Sequence, residues 1–272
     1  MVDYLYGGAS GKGAQTREMV KNKDWFACNQ QTQNRNSLNK NYSLIIFDFD
    51  GTLADSVSWA MTVISPVADK YDFKPVKAED LERIRGYDPI SVFNELGIPL
   101  YKVPVIASHL RKMMSGKAEQ VVLHNGIKEV LEHLFEKGAT IAVVSSNSLK
   151  NVRDIMGKEN AALIDYLECG ATFWGKRHKL SKVLEKSGFS PEEALYVGDE
   201  VRDLQAARKV RIAFGAVAWG FNRMDAFMKY NPDEIFRQIY DLKSYQRSTN
   251  ERNFEQWNRD QSGNKKLLYK HS

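Results

Sequence analysis

Cysteine is scarce in this chain: its 272 residues contain only Cys28 and Cys169. Two cysteines cannot build a disulfide framework, which suits a protein kept in a reducing compartment. No apolar run approaches the roughly 18 residues that a membrane-spanning helix needs, and residues 1–20 lack the apolar core of a secretory signal. We therefore expect a cytoplasmic protein with no membrane partner.

The centre of the chain also lacks an excess of positive charge. The whole chain has a net charge of +5, but residues 1–40 and residues 246–272 each hold six Lys or Arg against three Asp or Glu. Residues 41–245 are left with a net charge of −1. A nucleic-acid-binding domain is expected to carry a basic face, so we expect no nucleic-acid partner.

Hydrophobic residues make up 43% of the chain, which is enough for a globular core. The two ends differ from the centre because they are polar and show little helical or strand periodicity. We predict that residues 1–40 form a disordered polar extension and that residues 246–272 form a polar tail.

Two acids directly after a short apolar run organise the rest of the chain. Residues 43–47 are typical of a buried parallel strand, and Asp48, Asp50, Gly51 and Thr52 follow them. Residues two apart in an extended segment point to the same side, so the carboxylates of Asp48 and Asp50 are expected to face one small space. That space lies at the carboxyl edge of a sheet, where open α/β folds bind ligands.

Two carboxylates so close repel each other unless a cation offsets their charge. A cation that prefers oxygen ligands, such as Mg²⁺, meets that need. One carboxylate could also act as a nucleophile, with its neighbour as general acid and base. The alternative is a strand that ends in an Asp-Gly turn with the acids as caps, and this motif alone does not decide between the two.

Residues 58–123 show helical rather than strand periodicity. Apolar residues recur three and four positions apart from Val57 onward, and glycines and prolines divide the segment into shorter pieces. Since the segment directly follows the first strand, we predict a small helical cap over the strand ends.

Four further apolar runs are predicted as strands of the same sheet. They cover Thr140–Val144, Leu167–Ala171, Ala194–Val197 and Ile212–Ala218. Ser145 and Asn147 follow one of these strands and suit a phosphate oxygen, whereas Asp199 and Asp203 follow another and would share one face of a helix. Each pair also has a simpler interpretation, as helix caps or surface acids. Lys176 could hold a phosphate as a point charge or be an ordinary solvated lysine.

These groups, in this order, resemble the motifs of the haloacid dehalogenase (HAD) superfamily, in its phosphoglycolate phosphatase-like group. The resemblance rests on Asp48–Leu53, Ser145, Lys176 and Gly198–Asp203, and more loosely on Trp219–Phe221. It implies an α/β fold: a Rossmann-like three-layer HAD core whose parallel strands lie in the order 5-4-1-2-3, plus a small α-helical cap domain. The catalytic core would comprise residues 41–57 and 124–245, with residues 58–123 as the cap.

The resemblance also implies a role for each residue. Asp48 would be the nucleophile that takes the phosphoryl group, and Asp50 the general acid and base. Mg²⁺ would be held by Asp48, Asp50 (through its backbone carbonyl), Asp199 and Asp203. Ser145 and Lys176 would clamp the phosphate, with lesser contributions from Thr52 and Asn147.

One departure concerns the lysine. Lys176 is followed by Arg177, where relatives often have proline, so Lys179 stays a less favoured candidate for the phosphate lysine. Otherwise His178 and Lys179 are expected at the surface.

The activity implied by the resemblance is Mg²⁺-dependent hydrolysis of a small phosphate monoester through an aspartyl-phosphate. A phosphosugar phosphatase and a phosphomutase share the same motifs and stay open as alternatives. A non-catalytic interaction module is disfavoured, because such degenerate members usually lose one of the four acids. Here all four are present: Asp48, Asp50, Asp199 and Asp203. The expected partner is a small phosphorylated metabolite, foremost a phosphorylated carboxylate. Arg85 is the candidate for binding that carboxylate, and a solvated surface arginine is the alternative.

Overall fold

A six-stranded parallel sheet forms the centre of the computed structural model, which describes residues 42–171 and 175–244. The strands are β1 Leu44–Phe47, β2 Thr140–Val144, β3 Tyr166–Glu168, β4 Ala194–Gly198, β5 Ala213–Val217 and β6 Glu234–Phe236. Their spatial order is β3-β2-β1-β4-β5-β6. The predicted order of the first five strands is therefore confirmed, and β6, for which no strand was predicted, adds a sixth strand beside β5.

Helices cover both faces of the sheet. The α-helices are α1 Ser56–Tyr71, α2 Ala78–Ile84, α3 Pro89–Leu96, α4 Val103–Ser115, α5 Ile127–Glu136, α6 Leu149–Ala161, α7 Gly175–Ser187, α8 Val201–Lys209 and α9 Met224–Met228. Single-turn 3-10 helices occur at Leu100–Lys102, Ala118–Gln120 and Pro191–Glu193, and a longer one at Ile239–Ser244. The result is a three-layer α/β fold of the Rossmann-like kind.

The side chains of β1 alternate between the two layers of the core. Ile45 and Phe47 pack in the cluster that contains the apolar side of α5. Leu44 and Ile46 pack in the opposite cluster, with apolar residues of α7 and α8. Because successive side chains of a strand point to opposite faces, a continuous apolar run is what a strand covered on both sides requires.

Four helices, α1 to α4, separate β1 from α5 along the chain. The chain leaves and re-enters the sheet region through two paired linkers: Asp55 N donates to Val122 O, and His124 N donates to Leu53 O. Asp55 also caps α1 by accepting from Ser58 N. A small apolar cluster of its own, built on Ile84, Val92 and Leu96, holds α2 and α3 together. The boundaries of a cap at residues 58 and 123 stay a prediction.

Within residues 42–171 and 175–244, no single helix is long and apolar enough to cross a membrane. The pair Pro89–Leu96 and Leu100–Ser115, bent by 105°, meets the criteria by length and composition only. The predicted extension at residues 1–40 and the predicted tail at residues 246–272 lie outside the described residues.

Candidate active site

The candidate site lies at the carboxyl edge of the sheet, where the ends of three neighbouring strands meet. Asp48 follows β1, Ser145 follows β2, and Asp199 follows β4. Since β1 lies between β2 and β4, the parallel order of the strands brings these three residues to one place. This is the position at which open α/β sheets bind ligands.

Asp48, Asp199 and Asp203 form a compact acidic cluster at this edge. Each offers a carboxylate oxygen, and these oxygens all lie within 4.8 Å of one another. All three residues are buried, with exposed fractions of 2%, 1% and 0%. Burial raises the pKa of Asp199 to about 7, with Glu200 and Asp203 adding to the effect. Burial likewise raises the pKa of Asp48, against the opposing effect of Lys176.

Among the described residues, Lys176 forms ion pairs with two members of this cluster. Its Nζ lies 2.6 Å from Asp48 Oδ2 and 2.5 Å from Asp203 Oδ1. Burial would lower the pKa of the ammonium group, but Asp203 and Asp48 outweigh that effect and hold the pKa above its usual value. The structure therefore places Lys176, and not Lys179, among the acids.

The residues present suit a divalent cation. Three buried carboxylates carry more negative charge than one lysine offsets, and burial, with smaller contributions from Glu200 and Asp203, raises the pKa of Asp199. Clustered carboxylate oxygens are the ligands that hard cations such as Mg²⁺ take in proteins. Asp48, Asp199 and Asp203 are thus the side chains that could hold such an ion.

Asp50 does not belong to the acidic cluster. Its Oδ2 accepts from Ser145 Oγ at 3.3 Å, and its Oδ1 accepts from Asn147 Nδ2 at 3.1 Å. Burial is the main cause of the raised pKa of its carboxyl. The structure therefore brings Ser145 and Asn147 together around Asp50, the candidate general acid and base. Ser145 Oγ also accepts a hydrogen bond from Asn147 N.

Thr52 contacts Asp199. Its Oγ1 donates to Asp199 Oδ1 at 2.9 Å, and the residue is fully buried. In this geometry the hydroxyl orients a carboxylate, whereas the sequence suggested a phosphate contact. Gly51, with φ +80°, lies against the same carboxylate: a Cβ at this position would be 2.2 Å from Asp199 Oδ2. Only glycine fits there.

The loop that follows β5 completes the surroundings of Asp199. Phe221 N donates to Asp199 Oδ2 at 2.8 Å, and Trp219 Nε1 donates to Thr52 O at 2.9 Å. Asn222, which is 1% exposed, was not identified from the sequence. Its Oδ1 accepts from Val201 N at the start of α8, at 2.9 Å. A lone asparagine in a polar loop carries no local signal of such a role.

The guanidinium of Arg85 is occupied by contacts within the protein rather than left open for a substrate carboxylate. Its Nε donates to Phe221 O at 3.0 Å, and its Nη2 donates to Gly220 O at 2.9 Å. Its Nη1 pairs with Glu82 at 2.6 Å. The prediction of a carboxylate-binding group is therefore not supported, because the guanidinium is directed at backbone carbonyls of the loop after β5.

Lys179 is also placed differently from the prediction. It was expected at the surface, but it is 4% exposed and its Nζ donates to the carbonyls of Ser145 and Gly170. Burial lowers the pKa of its ammonium group. Lys179 thus holds the ends of β2 and β3 together, while His178 is exposed as predicted.

Comparisons with known proteins agree with this architecture. The family described as haloacid dehalogenase-like hydrolase matches residues 45–217. The phosphoglycolate phosphatase of Synechococcus elongatus is 27% identical over 199 residues, which cover 73% of this chain and 94% of the relative. The pyrophosphatase PpaX of Bacillus velezensis is 24% identical, covering 75% of this chain and 95% of the relative.

Among solved structures, a haloacid dehalogenase-like family hydrolase from Streptococcus pneumoniae is similar in fold. Its TM-score is 0.63 at 20% sequence identity, and the match covers 75% of this chain and 97% of that one. The match to the family spans both the strand that carries Asp48 and the strand that carries Asp199. The chain therefore belongs to the haloacid dehalogenase-like hydrolases, as a phosphatase of the phosphoglycolate phosphatase-like group.

Proposed function

We propose that this phosphatase hydrolyses a small phosphate monoester with the help of Mg²⁺ and through an aspartyl-phosphate on Asp48. The observation that carries the proposal is the placement of Asp48 at the carboxyl end of β1, in contact with Lys176 and close to two further buried acids. Asp48 Oδ1 accepts from Phe49 N at 2.7 Å, and Oδ2 accepts from Lys176. Both oxygens of the proposed nucleophile are thereby oriented.

In the first step, a carboxylate oxygen of Asp48 attacks phosphorus and the bond to the leaving oxygen breaks. Asp50 gives its proton to that leaving oxygen. Burial is the main cause of the raised pKa of the Asp50 carboxyl, and a raised pKa favours the protonated form that a general acid needs. Phosphoryl transfer depends chiefly on positioning and on offsetting negative charge, and Lys176 supplies a positive charge at the nucleophile.

In the second step, a water attacks the phosphorus of the aspartyl-phosphate while Asp50 takes up the water's proton. The bond from phosphorus to the Asp48 oxygen breaks, which restores the carboxylate and releases inorganic phosphate. Mg²⁺, held by Asp48, Asp199, Asp203 and the backbone carbonyl of Asp50, would supply charge compensation for the phosphoryl oxygens. Ser145, Lys176 and Asn147 are proposed as the phosphate clamp.

A small anionic substrate is favoured by the surroundings of the site. A cavity of about 380 Å³ adjoins Lys176, a size suited to a small molecule. Its charged lining residues are all basic: Lys176, Arg177, Lys179, Arg202 and Lys209. Together with the relatives that act on phosphoglycolate, this favours a phosphorylated carboxylate, with the substrate's second charge lying towards this cavity.

Pyrophosphate is the second candidate. It is small and has two anionic ends, and relatives bearing the name pyrophosphatase match three quarters of the chain. A sugar phosphate has a neutral leaving group, so it has no second negative charge to interact with the basic residues of the cavity. A phosphomutase would return the phosphoryl group to the sugar instead of passing it to water.

Phosphate release from a panel of phosphate monoesters and pyrophosphate, with Mg²⁺ present, tests the proposal. We expect phosphoglycolate to be hydrolysed fastest, followed by pyrophosphate, with glucose 6-phosphate well behind. EDTA should abolish the activity and added Mg²⁺ should restore it. Glucose 6-phosphate as the best substrate would overturn the substrate class, and isomerisation of glucose phosphates without phosphate release would establish the mutase. Full activity in EDTA would contradict the metal role.

A further inference from the structure

The loop of residues 219–223, between β5 and α9, has two faces that contact different parts of the protein. One face holds Asp199, as described above. The other face holds residues 82–87, the end of α2 and the turn that follows it. We call the contacts between residues 82–87 and residues 220–223 the latch.

The latch consists of hydrogen bonds that run in both directions. The Arg85 side chain donates to the carbonyls of Gly220 and Phe221. In return, the Arg85 carbonyl accepts from Arg223 N at 2.8 Å and from Asn222 Nδ2 at 3.0 Å. The Phe221 side chain also packs against the apolar cluster of α2 and α3. The latch therefore fixes the end of α2, within the helical segment of residues 58–123, to the loop that follows β5.

The same loop residues hold Asp199 directly. Phe221 donates its N–H to Asp199 Oδ2 while its carbonyl accepts from Arg85. Asn222 donates its backbone N–H to Asp199 O at 3.0 Å. Gly220 lies so close that a Cβ on it would be 2.1 Å from Asp199 Cβ. A shift of this loop must therefore displace the Asp199 carboxylate.

Asn222 is the residue that joins the two faces. Its Oδ1 accepts from Val201 N, two residues after Asp199, while its Nδ2 donates to the carbonyls of Arg85 and Tyr87. Both ends of one buried amide are used, so the helical segment and the start of α8 cannot move apart without leaving buried polar groups unpaired. Unpaired buried groups are costly, which makes the connection stiff.

We propose that Arg85 and Asn222 are positioning residues. Through them, the contact between residues 82–87 and the loop after β5 controls the orientation of the Asp199 carboxylate for metal binding. When the latch is formed, Asp199 is held in the conformation that points towards Asp48 and Asp203. By linkage, an ion bound at Asp199 stabilises the latch by the same factor by which the latch improves ion binding. The inference rests on the proposed metal site and assigns a role to residues that do not contact the metal.

The test is the affinity of the resting enzyme for Mn²⁺, an ion that also accepts carboxylate ligands. Free Mn²⁺ is counted by electron paramagnetic resonance, without substrate. We expect Arg85→Ala to weaken Mn²⁺ binding about fivefold or more, in the usual range of coupling between sites. Arg83→Ala is the control, because Arg83 lies in the last turn of α2 and its guanidinium contacts Asp80, Glu95 and the Tyr87 hydroxyl rather than the loop after β5. It should leave the affinity within about twofold, the scatter expected of a surface change.

If Arg85→Ala does not fold, the more conservative variant Arg85→Lys can be measured in its place. Arg85→Lys keeps the charge but cannot donate to two carbonyls as a planar fork, so it should weaken Mn²⁺ binding to a smaller degree. Wild-type affinity in a folded Arg85→Ala or Arg85→Lys protein would overturn the coupling. Absence of Mn²⁺ binding in the wild type would instead overturn the proposed metal site.

A second measurement needs no variant. Amide hydrogen exchange of peptides covering residues 82–87 should slow on addition of Mg²⁺, although these residues lie outside the acidic cluster. A merely structural latch would show the same exchange with and without the ion, and that result would also overturn the proposal.

Discussion

Lys176 Nζ lies 2.6 Å from Asp48 Oδ2 and 2.5 Å from Asp203 Oδ1, with 9% of the lysine side chain exposed. The contact joins two residues 128 positions apart in the chain. It makes one ammonium group the neighbour of both the proposed nucleophile and a proposed metal-site acid. Several expectations about activity and stability depend on this arrangement.

Replacing the lysine should harm both activity and stability. In Lys176→Ala, Asp48 and Asp203 lose their buried partner, and removing one partner of a buried ion pair typically costs about 3–5 kcal/mol. Chemical denaturation measures this loss, and turnover is expected to fall by at least about 100-fold, as for a lost electrostatic contact to the reacting group. The control is Lys182→Ala on the same helix, whose lysine pairs with Glu168 and is 45% exposed; a surface change of that kind should cost less than about 1 kcal/mol. Equal effects of the two variants would contradict the assignment.

Replacing the nucleophile should abolish turnover and preserve the fold. An amide cannot attack phosphorus, so Asp48→Asn should lower kcat by on the order of 10⁴-fold or more, as the loss of a covalent nucleophile does. The substitution removes one negative charge from a crowded cluster, and the free energy of unfolding should therefore not fall. Phosphate release and circular dichroism check the two parts. Normal phosphate release from a folded Asp48→Asn protein would remove Asp48 as the nucleophile.

A single methyl group at Gly220 should disturb the metal site. A Cβ at this position would be 2.1 Å from Asp199 Cβ, so Gly220→Ala must push the carboxylate or the loop away. Overpacking of this kind costs about 1–3 kcal/mol, and we expect the Mg²⁺ concentration needed for half-maximal activity to rise. Gly116→Ala is the matched control, because a Cβ there would meet its nearest atom, Met113 O, at an ordinary 3.6 Å. An unchanged Mg²⁺ requirement in Gly220→Ala would argue against the arrangement of the loop around Asp199.

The metal-free protein should lose stability as the pH rises. Burial raises the pKa of Asp199 to about 7 in the folded protein, from 3.8 in the absence of that environment. Between these two pH values the folded state binds more protons at this site than the unfolded state does, so the free energy of unfolding falls with rising pH across that window. Denaturation of EDTA-treated protein at several pH values measures the slope, and Asp199→Asn should flatten it. A slope identical in wild type and Asp199→Asn would show that Asp199 does not titrate in this way.

Some properties followed from the sequence alone because they depend on local patterns. Continuous apolar runs predicted the strands, since a strand covered on both faces needs apolar side chains on both. Acids placed directly after two of those runs predicted which residues would gather at one sheet edge, because parallel strands carry their carboxyl ends to the same side. Asp48 and Asp199 did meet there. Strand β6 was missed: none of its three residues is fully buried, and it lies at the edge of the sheet.

The roles of the connecting residues were decided only by the tertiary structure. Arg85 contacts carbonyls 135 and 136 positions away, and Asn222 joins the start of α8 to the turn after α2. Lys179 is buried, and its ammonium group donates to carbonyls that follow β2 and β3. Hydrogen bonds between distant segments depend on how the elements pack, and a charged or amide side chain looks the same in the sequence whether it is solvated or holds two segments together.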